Sequence, residues 1–371
     1  MTLTEIPTPA VLLESSKLQR NLLRMQGAVG ERGIRLRPHA KTHKSPVIAR
    51  MQSFLGASGI CCAKLGEAEL FADAGAKDIR LPYPLNPANA DRVFALADRI
   101  ALSFIVDDVD VARAWSDLAV ARRTALSVLV KVDVGFHRCG IDPQDAGAAA
   151  RVAAVAALPG LDFLGLLSHA GHAYGAQSAA DAEAIAVEEA RILRDLAAAS
   201  GVVCRELSVG ATPTARFSMH QPGVTEMRPG NYAYFDRTQV GLGSAAWEDC
   251  ALTVLARVVS RPAPERVILD SGSKTLTNDL ARGFSAMPGY GAVLEDLHAA
   301  KPDERLVIDR LSEEHANVRA SGGDPGLPTG TLVRIVPNHS CVVSNLVDAV
   351  WVVDGDHVVE RLPVAARGRI T

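Results

Sequence analysis

Between residues 15 and 234, short apolar runs alternate with segments of helical period, and that alternation constrains the fold more than any other feature of the chain. Leu18, Leu22, Met25 and Val29 are close to helical spacing over 15–32, with Ser15 or Ser16 available as a cap and Gly33 ending the helix. A strand at 37–44 and a helix at 45–55 follow. Strand and helix then alternate through 59–64 and 66–75, 79–84 and 87–98, 101–106 and 109–121, and 126–134 and 143–157. They continue through 161–169 and 178–200, then 206–210 and 213–220, with a last strand at 224–227. Eight βα-like units over about 220 residues predict an α/β fold, a (β/α)8 barrel of TIM type at its usual size. A doubly wound open sheet is the alternative, but no GxGxxG follows the first strand.

After Tyr234 the texture changes. The stretches 251–259, 266–270, 331–336 and 349–353 are short, β-branched and separated by Gly and Pro, which predicts a mostly β second domain. Pro7 and Pro9 argue against a helix at the start, so that segment is expected to be extended and to pair with the β domain. The expected division is a barrel over 12–235 and a β-rich domain over 236–371 together with 1–11.

Composition narrows the function. A net charge of -3 offers no basic excess for neutralising nucleic-acid phosphates. Six cysteines in 371 residues do not make a disulfide scaffold, and adjacent Cys61 and Cys62 read as core. The start MTLTEIPTPAVLLE lacks a basic region followed by an apolar one, and no apolar run reaches the roughly 20 residues that span a bilayer. A cytoplasmic protein with reduced thiols and no membrane or nucleic-acid partner is expected.

Polar residues collect at the expected C-terminal strand ends, where barrels carry their chemistry. In Arg37-Pro-His-Ala-Lys-Thr-His-Lys44, an extended reading places Arg37, His39, Lys41 and His43 on one face. Such a face needs an anionic ligand, and a lysine among cations is suited to Schiff-base chemistry; a solvated basic loop is the plain alternative. In LVKVDVGFHRCG, Lys131 and Asp133 point inward with Arg138 just beyond, and a buried Lys131–Asp133 ion pair is the structural alternative. His169 ends LGLLSH. Gly210, Thr212 and Thr214 in SVGATPT make a phosphate cradle or an ordinary N-cap, and Arg228 and Gly230 end the next strand. In Pro337-Asn-His-Ser-Cys341, His339 and Cys341 share a face if the segment is a strand; imidazole plus thiolate suits zinc, and His315 is a possible third contributor.

Taken in order, RPHAKTHK, KVDVGFHRCG, LSHAGH, SVGATPT, EMRPGNY and PNHSC resemble the D-threonine aldolase / D-serine dehydratase family, fold-type III pyridoxal-phosphate enzymes related to alanine racemase. The resemblance spans nearly the whole chain. It implies that Lys41 holds pyridoxal 5'-phosphate as an aldimine, with His39 and Arg37 as its electrostatic surroundings, and that Arg138 faces the substrate carboxylate and cofactor. It implies that His169 lies beside the ring, that Arg228 is near the pyridine nitrogen, and that Gly210, Ala211, Thr212, Gly230 and Asn231 hold the phosphate. It implies that His339 and Cys341 bind a divalent metal, Zn or Mn, next to a D-3-hydroxy amino acid, and that the chain is a homodimer with each site closed by the partner's β domain. A cofactor acting as electron sink and a metal acting as Lewis acid allow dehydration or retro-aldol cleavage. Cys341 resembles the dehydratases and puts dehydration ahead; Asn345, Leu346 and Asp348 look more like the aldolase branch. A racemase without metal and a non-catalytic cofactor carrier are the more distant readings.

Overall fold

The structure is a computed structural model describing residues 1–371. The chain opens with β1 (Ala10–Glu14), α1 (Ser15–Gly30), β2 (Arg35–Leu36), α2 (Pro46–Phe54), β3 (Ile60–Cys61), α3 (Leu65–Asp73), β4 (Asp78–Pro84) and α4 (Ala90–Ala97). It continues with β5 (Ala101–Val106), α5 (Val109–Ala121), β6 (Leu126–Lys131), α6 (Ala148–Ala156), β7 (Leu161–Leu167), α7 (Ala179–Ser200), β8 (Glu206–Val209), α8 (Ala215–Ser218), β9 (Glu226–Met227) and α9 (Arg237–Gly241). The remainder is β10 (Leu252–Ala263), β11 (Arg266–Leu269), α10 (Ser273–Leu276), β12 (Ala292–Val293), β13 (Leu306–Leu311), β14 (Ala316–Ala320), β15 (Leu332–Val336), α11 (Ser340–Leu346), β16 (Ala349–Asp354) and β17 (His357–Pro363).

Strands β2 to β9 form one parallel sheet in the order β2-β9-β8-β7-β6-β5-β4-β3. Its two ends meet where His39 bridges Cys61, with Ala40 N–H donating to the Cys61 carbonyl at 2.8 Å. The sheet therefore curls into the expected barrel, with helices outside. Strands β1 and β10 to β17 form a second sheet in which β1 lies antiparallel to β10 and parallel to β16. The N-terminal segment that joins this sheet runs on to Glu14. Ser15 is already helical, and neither it nor Ser16 caps α1; the preceding Glu14 carboxylate instead accepts Gly355 N–H at 3.0 Å.

Along β6 the pleat divides the layers. Val128, Val130 and Val132 are fully buried in the core that joins barrel and helices. Leu129, with Ile105 and Leu167, fills part of the barrel interior. The rest of the interior is ionic. Arg37 Nε donates to Glu226 Oε2 at 2.8 Å and Arg37 Nη1 to Asp78 Oδ1 at 2.5 Å. Arg80 pairs with Glu226 at 2.5 Å and with Glu206 at 2.7 Å. Burial alone would raise the Glu226 carboxyl; Arg80 and Arg37 outweigh it and hold it at about 2.

Three expectations about local geometry need correction, and the alternative of a Lys131–Asp133 ion pair is not realised. RPHAKTHK is not one strand: after His39 the chain coils, with Lys44 N–H donating to the Ala40 carbonyl at 2.7 Å, so the cations disperse. Arg37 faces the ionic interior, His43 is buried with its Nε2 3.3 Å from Gln52 Oε1, and Lys44 is buried against Glu67. The PNHSC segment is not a strand either; His339 is the N-cap of α11. Lys131 and Asp133 do not pair: Lys131 Nζ donates to the Val132 carbonyl at 2.9 Å, and Asp133 caps the Gly135, Phe136 and His137 amides. Thr214 is fully buried and donates to the Ala211 carbonyl, so it offers nothing to a ligand.

Candidate active site

Lys131 is the last residue of β6, and His169, Gly210 and Arg228 follow the ends of β7, β8 and β9 within two residues. Lys131, His169, Gly210 and Arg228 thus stand at the C-terminal rim, where the backbone leaves the sheet. A cavity of about 740 Å³ opens there, between the rim and the β domain. Its lining includes His39, Lys41, Lys131, Arg138, His169, Ala211, Thr212, Arg228, Gly230, Asn231, His339 and Cys341. Gly210 lies behind this surface: its carbonyl accepts from His169 Nδ1 at 2.7 Å, and a side chain on it would meet Arg228 Nη2 at 3.1 Å. Arg37 and His315 are not part of the cavity; His315 lies on the surface loop joining β13 to β14.

The bond from His169 Nδ1 fixes the tautomer and leaves Nε2 without the proton. Burial and the cations Lys41, Lys131 and Arg138 push this imidazole well below its ordinary value, so it is a neutral base at neutral pH. Burial and Lys41 do the same to His39, whose Nδ1 accepts the Lys41 backbone N–H at 3.3 Å. Burial, with Arg228 next, depresses Lys131 to about 8. Arg228 is buried and makes only neutral hydrogen bonds, to Ser208 Oγ at 2.5 Å and to the Ser168 carbonyl.

Among all the ion pairs of the molecule, none uses Lys41, Lys131, Arg138, Arg228 or Arg282. Five cations face one cavity with no carboxylate within pairing distance. Lys131 and Arg228 are buried, whereas Lys41, Arg138 and Arg282 are exposed; two buried cations without a counter-charge, beside three exposed ones, fit an anionic ligand such as a phosphate or a carboxylate.

On the opposite wall, α11 begins against the barrel. Asp236, fully buried, accepts Ser340 N–H at 2.9 Å and Asn231 Nδ2 at 2.6 Å, which satisfies the start of the helix. Thr42 Oγ1 lies 3.1 Å from Cys341 Sγ, and Ser344 Oγ donates to the Thr42 carbonyl at 2.5 Å. The two most distinctive motifs of the chain are therefore in direct contact. His339 Nδ1 donates to Asp279 Oδ2 at 2.6 Å. Burial alone would depress His339; Cys341, Asp236 and Asp279 outweigh it and raise it to about 10. Burial would raise the Cys341 thiol, but His339 and Thr42 lower it. A nitrogen and a soft thiolate side by side suit a divalent ion, and a carboxylate on the far ring nitrogen is the usual support of a metal-binding histidine. Asn231 Oδ1, buried and without a hydrogen-bond partner, adds an unused acceptor beside them.

Sequence reading missed Asp279, Arg282, Tyr174, Asp236 and Thr42 as site residues. An extended strand would turn Thr42 to the face opposite Lys41, whereas the coil brings it to Cys341. Asp279 and Arg282 lie in a stretch with no periodicity, marked only by the polar run Thr277-Asn278-Asp279 after a helix of four residues.

Residues 13–238 match the alanine racemase N-terminal domain family, and residues 251–353 match the serine dehydratase domain family. The chain belongs to this fold-type III pyridoxal-phosphate family. It is 33% identical over 358 residues to a D-threo-3-hydroxyaspartate dehydratase of Delftia sp. (strain HT23), covering 92% of each chain. It is 33% identical over 378 residues to a D-threonine aldolase of Arthrobacter sp, covering 99% of this chain and 94% of that one. The structure of the Delftia dehydratase superposes with a TM-score of 0.91 at 32% identity, covering 98% of both chains, and a second structure of it is a cysteine-to-alanine mutant in the metal-free form. Family members share the barrel and the second, mostly β domain seen here.

Proposed function

We propose that this chain is a pyridoxal-phosphate- and divalent-metal-dependent lyase acting on D-3-hydroxy amino acids, and that it removes water from them. One observation carries the reading: five cations without carboxylate partners share a cavity with an imidazole–thiol pair. His39, Lys41, Ala211, Thr212, Arg228, Gly230 and Asn231 would hold the cofactor, with Gly210 behind them, and His339 and Cys341 would hold Zn or Mn. When bound, the cofactor supplies an electron sink for charge at Cα and the metal a Lewis acid for a β-hydroxyl.

The chain's own residues account for the remainder. Lys41 and His169 face the cavity as the two bases, and His169 stays neutral because burial and cations disfavour its charge. Lys41 takes the Cα proton. Arg138, exposed at the rim, binds the α-carboxylate. Asp279 orients the His339 ring, and Thr42 steadies the Cys341 thiolate. The dehydration reading is favoured because Cys341 stands at the second metal position, as in the dehydratases, one of which has a cysteine mutant in a metal-free form. Retro-aldol cleavage is the second reading: Asn345, Leu346 and Asp348 look more like the aldolase branch, and neutral His169 faces the cavity as a base. We further infer a cytoplasmic homodimer. No helix is long and apolar enough to cross a membrane, and the cavity mouth carries exposed Phe136 and Leu280, a surface a second subunit would cover.

Incubation with D-threonine separates the readings. Dehydration yields 2-oxobutanoate and ammonia; retro-aldol cleavage yields glycine and acetaldehyde. We expect the first pair, suppressed by chelation and restored by Zn²⁺ or Mn²⁺. Turnover indifferent to chelators would remove the metal from the mechanism.

A further inference from the structure

Helix α7 buries Ala182, Ala186, Ala190, Leu193 and Leu196, the spacing of one helical face, and Glu189 lies on that same face. It is the one charged side chain the helix buries, only 1% exposed. A carboxylate taken out of water is costly unless a cation or several donors meet it. Buried Glu67, Glu206 and Glu226 each have a lysine or an arginine. Glu189 has no such partner: its Oε1 accepts the Ser168 hydroxyl at 2.6 Å, and its Oε2 has no hydrogen-bond partner. Packing alone gives no reason for a glutamate here, since the rest of the face is alanine and leucine.

Its partner belongs to the site. Past the end of β7 the pleat continues: Leu167 fills the barrel interior, Ser168 turns outward to α7, and His169 turns inward to the cavity. Ser168 is fully buried and held on three sides. Its N–H donates to the Ser208 carbonyl at 3.0 Å, its carbonyl accepts from Arg228 Nη2, and its hydroxyl donates to Glu189. One residue thus sets the direction of two cavity-lining side chains, the imidazole that follows it in the chain and the guanidinium that bonds to it. Glu189 also stands behind the cavity cations, and Arg228 and Lys131 both feel its charge. Burial pushes its carboxyl up, while Ser168, Arg228 and Lys131 pull it down.

We propose that Glu189 is a positioning residue of the active site, fixing His169 and Arg228 through Ser168 from outside the barrel. This rests on the cofactor and lyase reading above. The carboxylate accepts the Ser168 hydroxyl in one orientation, so the backbone between Leu167 and Ala170 holds one path. On that path the His169 ring meets the Gly210 carbonyl and Arg228 meets the Ser168 carbonyl. Without the acceptor, Ser168 is free to turn, and both side chains lose their common support. A catalytic group displaced by a fraction of an ångström loses rate before it loses substrate binding.

The test is a double-mutant cycle of Glu189→Ala, Ser168→Ala and the pair, with Glu189→Gln as the conservative variant. It reads the affinity of the cofactor-free protein for pyridoxal 5'-phosphate from the aldimine absorbance, then kcat and KM of the holoenzyme for D-threonine. Glu189→Ala should weaken cofactor affinity about tenfold, the size of one hydrogen bond to a charged group. It should lower kcat by about tenfold to a hundredfold with KM little changed. Ser168→Ala should match it, and the pair should be no worse than either, because both act through one bond. Glu189→Gln retains an acceptor for the Ser168 hydroxyl and should restore most of both quantities. Should Ser168→Ala fail to fold, the comparison of Glu189→Ala with Glu189→Gln decides alone. Cofactor affinity unchanged in Glu189→Ala, losses that add in the pair, or no rescue by Glu189→Gln overturns the Glu189 assignment whether or not D-threonine turns over. The expected affinity series in an enzyme that does not turn over D-threonine supports the assignment and overturns the lyase reading alone.

Discussion

The barrel interior holds two sets of cations a single pleat apart. Two residues along the same chain separate Glu226 from Arg228, Ser208 from Gly210, and Arg37 from His39. In the lower set Arg37 and Arg80 are buried, and their charges are matched by Glu226, Glu206 and Asp78. In the upper set Lys41, Lys131, Arg138 and Arg228 meet carbonyls, hydroxyls or solvent, and no carboxylate. Ser208 joins the sets, accepting from Arg228 Nη1 and donating to Glu226 Oε1 at 2.6 Å. A buried charge with its partner on hand serves the fold, whereas a set of charges lacking partners is shaped for a ligand that supplies them.

The contrast can be broken at its lower side first, where the largest effect is expected. Glu226→Gln leaves Arg37 and Arg80 short of a counter-charge and should cost about 3–5 kcal/mol in urea unfolding. The folded carboxyl is held at about 2, below its ordinary value. Its contribution is therefore full above that ordinary value and is lost as pH falls through 2. The wild-type advantage over the variant should be flat near neutrality and shrink in acid. An unchanged midpoint would mean that the lower set is not structural.

Lys131→Met tests the upper side with the opposite sign. In cofactor-free protein the variant should be more stable at pH 7, by on the order of 1–3 kcal/mol, because a buried unpaired ammonium is removed. Lys131 is depressed to about 8 in the fold, so the folded state binds fewer protons there than the unfolded chain. The penalty is full below pH 8 and fades as pH rises toward the ordinary lysine value, and the variant's gain should fade with it. Thermal unfolding at pH 7 and pH 10 reads both. A smaller effect is expected at the metal wall: Asp279→Asn should weaken divalent-metal affinity by about 10–100-fold in chelator competition, because it releases the His339 ring.

The alternation of apolar runs and helical periods was enough to read the barrel, since each run had only one way to bury both faces. The site was partly readable for the same reason: Lys131, His169 and Arg228 stand at strand ends, where the pleat and the fold together fix direction. What was lost lies where the chain leaves regular structure. RPHAKTHK coils after His39, and no local signal marks the bond from Lys44 N–H to the Ala40 carbonyl that sends Thr42 toward Cys341. PNHSC begins a helix because buried Asp236, about a hundred residues earlier, accepts the Ser340 amide, which is a tertiary cause. Asp279 and Arg282 owe their placement to a loop fastened onto α9, and their own sequence carries no period to read.

Central to all of this is that the unpaired upper cations hold an anionic cofactor joined to Lys41. Borohydride reduction of the purified protein, followed by proteolysis and mass spectrometry, tests it most directly. The account predicts loss of the aldimine absorbance and a pyridoxyl adduct on the peptide carrying Lys41. An adduct on another lysine, or absorbance that survives in Lys41→Ala, would contradict it.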